Sequence, residues 1–228
     1  KIKCFVELHI EQSIILEDTG IQIGVVDQIA APTNLRLTIK GRSGHAGATP
    51  MWLRKDPFTA AAEIVLEVER VAQTIGKETV GTVGEAYVKP NAINVIPGEV
   101  VLGLDIRDVT YERKQAAVKQ VLDFVQEVAK RRHVTIDVDM IADQNPEKTN
   151  KDIVDLISGT CDKLGISHMN ITSGAYHDAL NMAAITDIGM IFVPSIKGIS
   201  HAPEEYTPFD DICRGAQVLV EVLAELAK

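Results

Sequence analysis

Apolar and polar positions alternate from the first residues of the chain. Ile2, Cys4, Val6 and Leu8 are spaced by two, the period of a half-buried strand. A helix is expected from Glu11 to Asp18, then a short tail up to about Gln28. Leu35, Leu37 and Ile39 alternate with Arg36, Thr38 and Lys40, and Gly41 ends that strand. Asp56-Pro57 starts a helix, since Asp caps and Pro fits the first helical position. Ile64, Val65, Val68, Val71, Ala72 and Ile75 continue it at helical spacing, and Gly76 stops it. Thr79 to Val88 reads as a strand. Pro97-Gly98 marks a turn, followed by a strand through Val100, Leu102, Leu104 and Ile106. A helix from about Thr110 to Arg132 presents Val118, Val121, Leu122, Val125 and Val128 on one face. Val134, Ile136, Val138 and Met140 form one more strand.

The middle of the chain thus reads β-α-β-β-α-β. That is the split βαβ, ferredoxin-like order, complete between residues 31 and 141. The flanks add a helix over Lys151 to Leu164, strands over Ser167 to Ile171 and Gly189 to Val193, and a last helix over Asp210 to Ala227. They form an α/β alternation with too few strands. The expected architecture is a partial α/β domain, residues 1–30 and 142–228, interrupted by an inserted ferredoxin-like domain, residues 31–141. The first residue is Lys and the alternation begins at once, so an N-terminal portion carrying further strands is expected upstream.

Composition narrows the function. Hydrophobic residues are 46% and charged residues 24% of the 228, the balance of a soluble globular chain. The net charge of -9 disfavours a nucleic-acid backbone and an anionic membrane surface, and 4% aromatic content disfavours a base-stacking platform. No stretch is long and apolar enough to span a membrane, and no signal segment is visible. Cys4, Cys161 and Cys213 are odd in number and far apart, with no CxxC pair. They read as packing residues in a reducing, cytoplasmic setting.

The chemistry sits in short motifs. His9 ends the first strand in Glu7-Leu8-His9-Ile10-Glu11-Gln12, and His201 lies in Ser200-His201-Ala202-Pro203-Glu204-Glu205. Histidine is the commonest metal ligand, and neighbouring carboxylates hold such imidazoles in one tautomer. His9 is also readable as a buried structural histidine bonded to backbone. Glu204 is open between an orienting and a solvated role, and Glu205 reads as solvated. His45 lies between Gly44 and Gly47, in a loop that must bend tightly. Asn94 either donates to a carbonyl or steadies the turn before Pro97-Gly98. Arg107 either grips a carboxylate bidentately or pairs with Asp105 or Asp108. His177 and Asp178, after Ser173-Gly174-Ala175-Tyr176, either orient a ligand or close a pocket wall.

Together these segments, with Gly44 to Met51, Asn94 to Gly98 and Asp105 to Asp108, resemble the M20 peptidase-like amidohydrolases, hydantoinase/carbamoylase branch. The resemblance runs through essentially the whole chain, in order. It implies an incomplete metallohydrolase α/β catalytic domain whose inserted domain is a lid that makes a homodimer. It implies a divalent-metal enzyme, with two zinc ions (or manganese, cobalt or nickel), that cleaves a linear C–N bond in a carboxylate-bearing carbamoyl or ureide substrate. His9 and His201 would be metal ligands. Gln12, His45, Asn94 and Arg107 would bind substrate, with His45 also steadying the oxyanion and so acting in catalysis. A histidine at position 9 favours carbamoyl or ureido substrates over the peptides and acyl amino acids of sister branches. Ser13-Ile14 and Tyr176 replace residues that are usually glycine or proline in this branch. A His-x-Asp motif and an acidic pair usual in the family have no counterpart here, so the chain alone is expected to bind zinc weakly and be inactive.

Overall fold

The computed structural model describes residues 2–228. Along the chain run β1 (Cys4–Ile10), α1 (Ile15–Thr19), β2 (Ile23–Ile29), β3 (Ala31–Lys40), β4 (Gly44–His45), α2 (Pro57–Ile75), β5 (Val80–Lys89) and β6 (Val95–Ile96). Then follow β7 (Glu99–Asp108), α3 (Tyr111–Arg132), β8 (Thr135–Asp143), β9 (Glu147–Lys148), α4 (Lys151–Leu164), β10 (His168–Ser173), α5 (Asp178–Met182), β11 (Asp187–Val193) and α6 (Phe209–Leu226). The chain folds as two compact units. One comprises Lys1–Ala30 and Pro146–Lys228, the other Ala31–Asn145.

The second unit carries a four-stranded antiparallel sheet in the order β5-β7-β3-β8. With α2 and α3 as its crossovers, this is the split βαβ strand order. Leu35, Leu37 and Ile39 of β3 and Leu102, Leu104 and Ile106 of β7 bury their side chains against Ile64, Val68 and Val71 of α2 and Val118, Val121 and Val125 of α3. Each such side chain contributes about 1.5–3 kcal/mol on leaving water. Asp56 caps α2 by accepting from the Phe58 amide at 2.9 Å. β8 runs past Ile141 to Asp143 because that carboxylate is anchored. It accepts from the Thr33 hydroxyl at 2.7 Å and pairs with the fully buried Lys114 at 3.0 Å. The unit accordingly ends at Asn145, not Ile141.

The first unit holds a five-stranded mixed sheet in the order β1-β11-β2-β10, with β9 also paired to β2. β1 runs parallel to β11, β10 runs parallel to β2, and β11 meets β2 antiparallel. The expected tail before Gln28 is therefore a strand, and an interior one. Its segment Ile23-Gly24-Val25-Val26 is buried on both faces, so it shows no alternation to read. The expected helix from Glu11 is also shorter. Glu11 is buried and its carboxylate accepts from the Ile15 and Leu16 amides at 2.9 Å each, so it caps α1 from outside. On one sheet face, Cys4, Val6, Leu8 and Ile10 of β1 pack with α4 and α6. On the other, Phe5 joins Leu16, Ala179, Ile188, Met190 and Phe192.

Candidate metal and substrate residues

Alternation along β1 sends Glu7 and His9 to the Phe5 face, in register with Met190 and Phe192 of β11. There they meet His177. One ligand atom from each of Glu7, His9 and His177 lies within 4.8 Å of the others. The His9 and His177 rings contact edge to face, with centroids 4.6 Å apart and planes at 70°. His9 Nδ1 lies 2.8 Å from the Ile10 carbonyl oxygen, so Nδ1 carries the proton and donates. Nε2 then keeps its lone pair, as a ligand must. His177 is 3% exposed; its Nε2 lies 2.7 Å from Ser173 Oγ and its Nδ1 lies 3.9 Å from Glu7 Oε1. Glu7 Oε2 accepts from the Ala179 amide at 2.8 Å. Burial pushes the Glu7 carboxyl above its ordinary pKa, against the Ala179 amide and the nearby His9, which pull it down.

The C-terminal ends of β1 and β11 lie side by side, with Ile10 opposite Val193. The loops that leave them interlock. The Gln12 amide donates to the Ser195 hydroxyl at 3.0 Å, and Gln12 Nε2 donates to Ser200 Oγ at 3.1 Å. Ser200 Oγ donates in turn to Glu205 Oε2 at 2.8 Å, which also accepts the His201 amide at 3.0 Å. The Ser200 hydroxyl, then the His201 amide, hold the Glu205 carboxyl below its ordinary pKa, with smaller pulls from the His201 and His9 side chains. Glu205, read from the sequence as solvated, is exposed, yet its Oε2 accepts two hydrogen bonds from the His201 loop. Gln12 and His201 both adopt left-handed backbone, φ 60° and 57°, which costs a non-glycine residue energy.

The first unit thus gathers Gln12, His201 and Glu205 in one hydrogen-bonded loop pair. His201 is exposed and lies outside the Glu7–His9–His177 group. Two imidazoles and a carboxylate are donors of the kind zinc and related divalent metals take, and His9 presents its free nitrogen correctly. Of the three, His9 is the one whose unengaged ring nitrogen fits a metal ion, since Glu7 and His177 already bond to the Ala179 amide and to Ser173. Glu7 and His177 are the ones sequence reading underweighted. The i, i+2 spacing of Glu7 and His9 on one strand face was the available signal.

In the second unit, β4 and β6 pair, setting His45 opposite Val95. The Ala46 amide donates to the Asn94 carbonyl at 3.0 Å, so His45 and Asn94 share one exposed ribbon. His45 Nδ1 accepts from the Gly47 and Ala48 amides at 3.1 and 3.2 Å. Its proton therefore sits on Nε2, ready to donate. Arg107 grips Asp105 with two bonds of 2.8 Å, Nε to Oδ1 and the terminal nitrogen to Oδ2. That pairing raises the Arg107 pKa.

The motifs and both folds agree with one family, whose model matches residues 1–225. The chain belongs to peptidase family M20/M25/M40. It is similar to an N-carbamoyl-L-amino-acid amidohydrolase from Paenarthrobacter aurescens, 43% identical over 99% of this chain and 55% of that protein. It is equally similar to a ureidoglycolate hydrolase from Arabidopsis thaliana, 43% identical over 98% of the chain and 47% of that protein. A solved hydantoinase/carbamoylase family amidase from Burkholderia vietnamiensis superposes with a TM-score of 0.94 at 33% identity, over the whole chain and 55% of its own. The chain spans about half the length of the curated relatives it matches. Among the described residues no helix is long and apolar enough to cross a membrane.

Proposed function

We propose that this chain belongs to a metal-dependent amidohydrolase that cleaves a linear C–N bond in a carboxylate-bearing carbamoyl or ureide substrate. The observation that carries this reading is His9: its Nδ1 is locked on the Ile10 carbonyl, which leaves Nε2 free, in a chain similar throughout to hydrolases of carbamoyl amino acids and ureidoglycolate. His9 and His201 would hold the metal from this chain. A bound divalent ion supplies Lewis-acid polarisation of the scissile carbonyl and an acidified water. Gln12, tethered through Ser200 to Glu205, sets the loop that carries His201 and offers its amide to substrate. His45 donates its Nε2 proton in a hydrogen bond to the carbonyl oxygen as negative charge develops there. Asn94 supplies a second polar contact from the same ribbon. Arg107 exchanges Asp105 for the substrate carboxylate, a fork-to-fork contact in both states.

The second unit would also be the lid, a ferredoxin-like insert that contacts a second copy of itself. Support lies in its exposed apolar side chains, Met51, Trp52 and Leu53 at 71%, 84% and 60% exposure, beyond what scattered surface residues explain. Sedimentation of the chain at tens of micromolar tests this, and a clean monomer counts against it.

The activity test is a panel assayed with and without chelator on the chain and on the longest natural polypeptide that contains it. Ammonia release from N-carbamoyl amino acids or ureidoglycolate, lost with chelator, is expected of the longer protein. Cleavage of N-acetyl amino acids or dipeptides instead would place the protein with the aminoacylases and peptidases. The chain alone is expected to bind zinc weakly and release nothing.

A further inference from the structure

We infer that His177, tied to Ser173 and facing Glu7, is a positioning residue for His9: it sets the imidazole that takes the metal and does not take the metal itself. This rests on the metal role proposed for His9.

The argument begins with cost. Glu7 and His177 lie in a layer otherwise built from Phe5, Ala179, Met190 and Phe192. Burying a carboxylate and an imidazole there is unfavourable unless their polar atoms are satisfied. Apolar side chains of similar size would fill the space without that penalty. The polar pair therefore does something packing does not require. What it touches is His9. The His177 ring meets the His9 ring edge to face at 4.6 Å, and Phe192 stands 5.5 Å from His177 and 6.5 Å from His9. His9 is thus flanked by two rings while its Nδ1 is held by the Ile10 carbonyl. Tautomer and ring plane are both restrained.

The same bonds argue against His177 as a ligand. Its Nε2 is engaged by Ser173 at 2.7 Å, and Glu7 Oε2 by the Ala179 amide at 2.8 Å. The opposed Glu7 Oε1 and His177 Nδ1 are 3.9 Å apart, and the group as a whole spans up to 4.8 Å. Tetrahedral zinc with bonds of about 2.0–2.1 Å needs its donors roughly 3.3–3.5 Å apart. The group would have to contract around an almost fully buried ring.

The test uses His177→Phe, which keeps a buried ring and drops both nitrogens, alongside Ser173→Ala and the control His9→Ala. Circular dichroism and melting report the fold. Chelator competition gives Co²⁺ and Zn²⁺ affinity, the Co²⁺ absorption spectrum reports the donor set, and long-range ¹H–¹⁵N spectra report the His9 ring without metal. The expected result is a fold kept, metal affinity lowered about 10–100-fold, an unchanged Co²⁺ band shape, and broadened or shifted His9 ring signals in the metal-free protein. Unchanged affinity with unchanged His9 signals overturns the inference. So does a Co²⁺ spectrum that loses a nitrogen donor, which would make His177 a ligand. If His177→Phe does not fold, Ser173→Ala, which cuts one tether, is judged by the same readings. If His9→Ala leaves metal binding intact, or the protein binds none, the metal role of His9 fails separately, and the His9 ring signals alone decide the positioning claim.

Discussion

Two residues of the candidate site sit in backbone that their side chains dislike. Gln12 and His201 are both left-handed, and each is held there by hydrogen bonds from its own amide, to Ser195 and Glu205. Strain of roughly 1–3 kcal/mol per residue persists where surroundings over-determine the conformation. His201→Gly removes the strain and keeps the amide that binds Glu205. We expect unfolding stability unchanged or raised by up to about 1 kcal/mol, with metal affinity reduced. A loss of stability beyond that would show the imidazole itself holds the loop. Arg107 poses the opposite question. Its pair with Asp105 is about a third exposed on both sides, so its structural worth is at most about 1 kcal/mol. A bidentate grip on a substrate carboxylate is worth roughly 1.5–3 kcal/mol. Arg107→Lys keeps the charge and loses the fork. In the active protein, kcat/KM on a carboxylate-bearing substrate should fall about 10–100-fold, and hardly at all on one lacking the carboxylate. Wild-type kcat/KM with a lowered melting point would mean that Arg107 serves the fold, through its pair with Asp105, and not the substrate.

At the scale of elements, what was legible followed from local signals. Asp56-Pro57 opens α2 and Gly76 follows its last residue, and α4 occupies the expected Lys151–Leu164. What was not legible depended on neighbours distant in sequence. β2 lies between β11 and β10 and is covered on both faces, so its residues carry no periodicity. Glu11 belongs by propensity to a helix, yet its carboxylate caps one. Glu7 and His177 come together only because α5 packs under β1, and no spacing announces a pair 170 positions apart. Two substitutions probe this level. Asn150 caps α4 by accepting from the Asp152 and Ile153 amides, so Asn150→Ala should cost about 1 kcal/mol in denaturant unfolding. Gly198 has φ 62°, and a Cβ there would lie 2.9 Å from the Ile14 nitrogen and the Ser13 carbonyl carbon. Gly198→Ala must therefore part the two loops that carry Gln12 and His201. It should cost about 1–3 kcal/mol and weaken metal binding as well, whereas Asn150→Ala should leave metal binding alone.

Across the whole molecule, the two units answer acid differently because the least exposed of their shifted carboxylates, Asp108 and Glu7, are shifted in opposite directions, while the depressed Glu205 of the first unit is solvent-exposed and contributes little. In the second unit, burial pushes Asp108 up, but the Arg113 guanidinium, the Thr79 hydroxyl and the Thr110 amide outweigh it and hold the carboxyl below its ordinary range. Asp143 is likewise raised by burial and lowered further by Thr33, Lys114 and Tyr111. A carboxyl depressed in the folded state stabilises that state above its unfolded pKa, about 3.9 for Asp. That contribution drains away as pH falls through the folded value. Glu7, in the first unit, is the reverse case. Its folded pKa is raised, so its contribution is fully present below the unfolded value and is lost as pH rises through the folded one. Acidifying the metal-free chain from pH 7 toward pH 3 should therefore weaken residues 31–145 before the remainder. Amide hydrogen exchange, corrected for the intrinsic pH dependence of exchange and resolved by peptide, reads this directly. Protection in β3, β7 and α3 should fall first, and Asp108→Asn should flatten that fall by removing the titrating group. Simultaneous loss in both units, or earlier loss in β1 and β11, would mean that other charges, not Asp108 and Asp143, govern the acid limb.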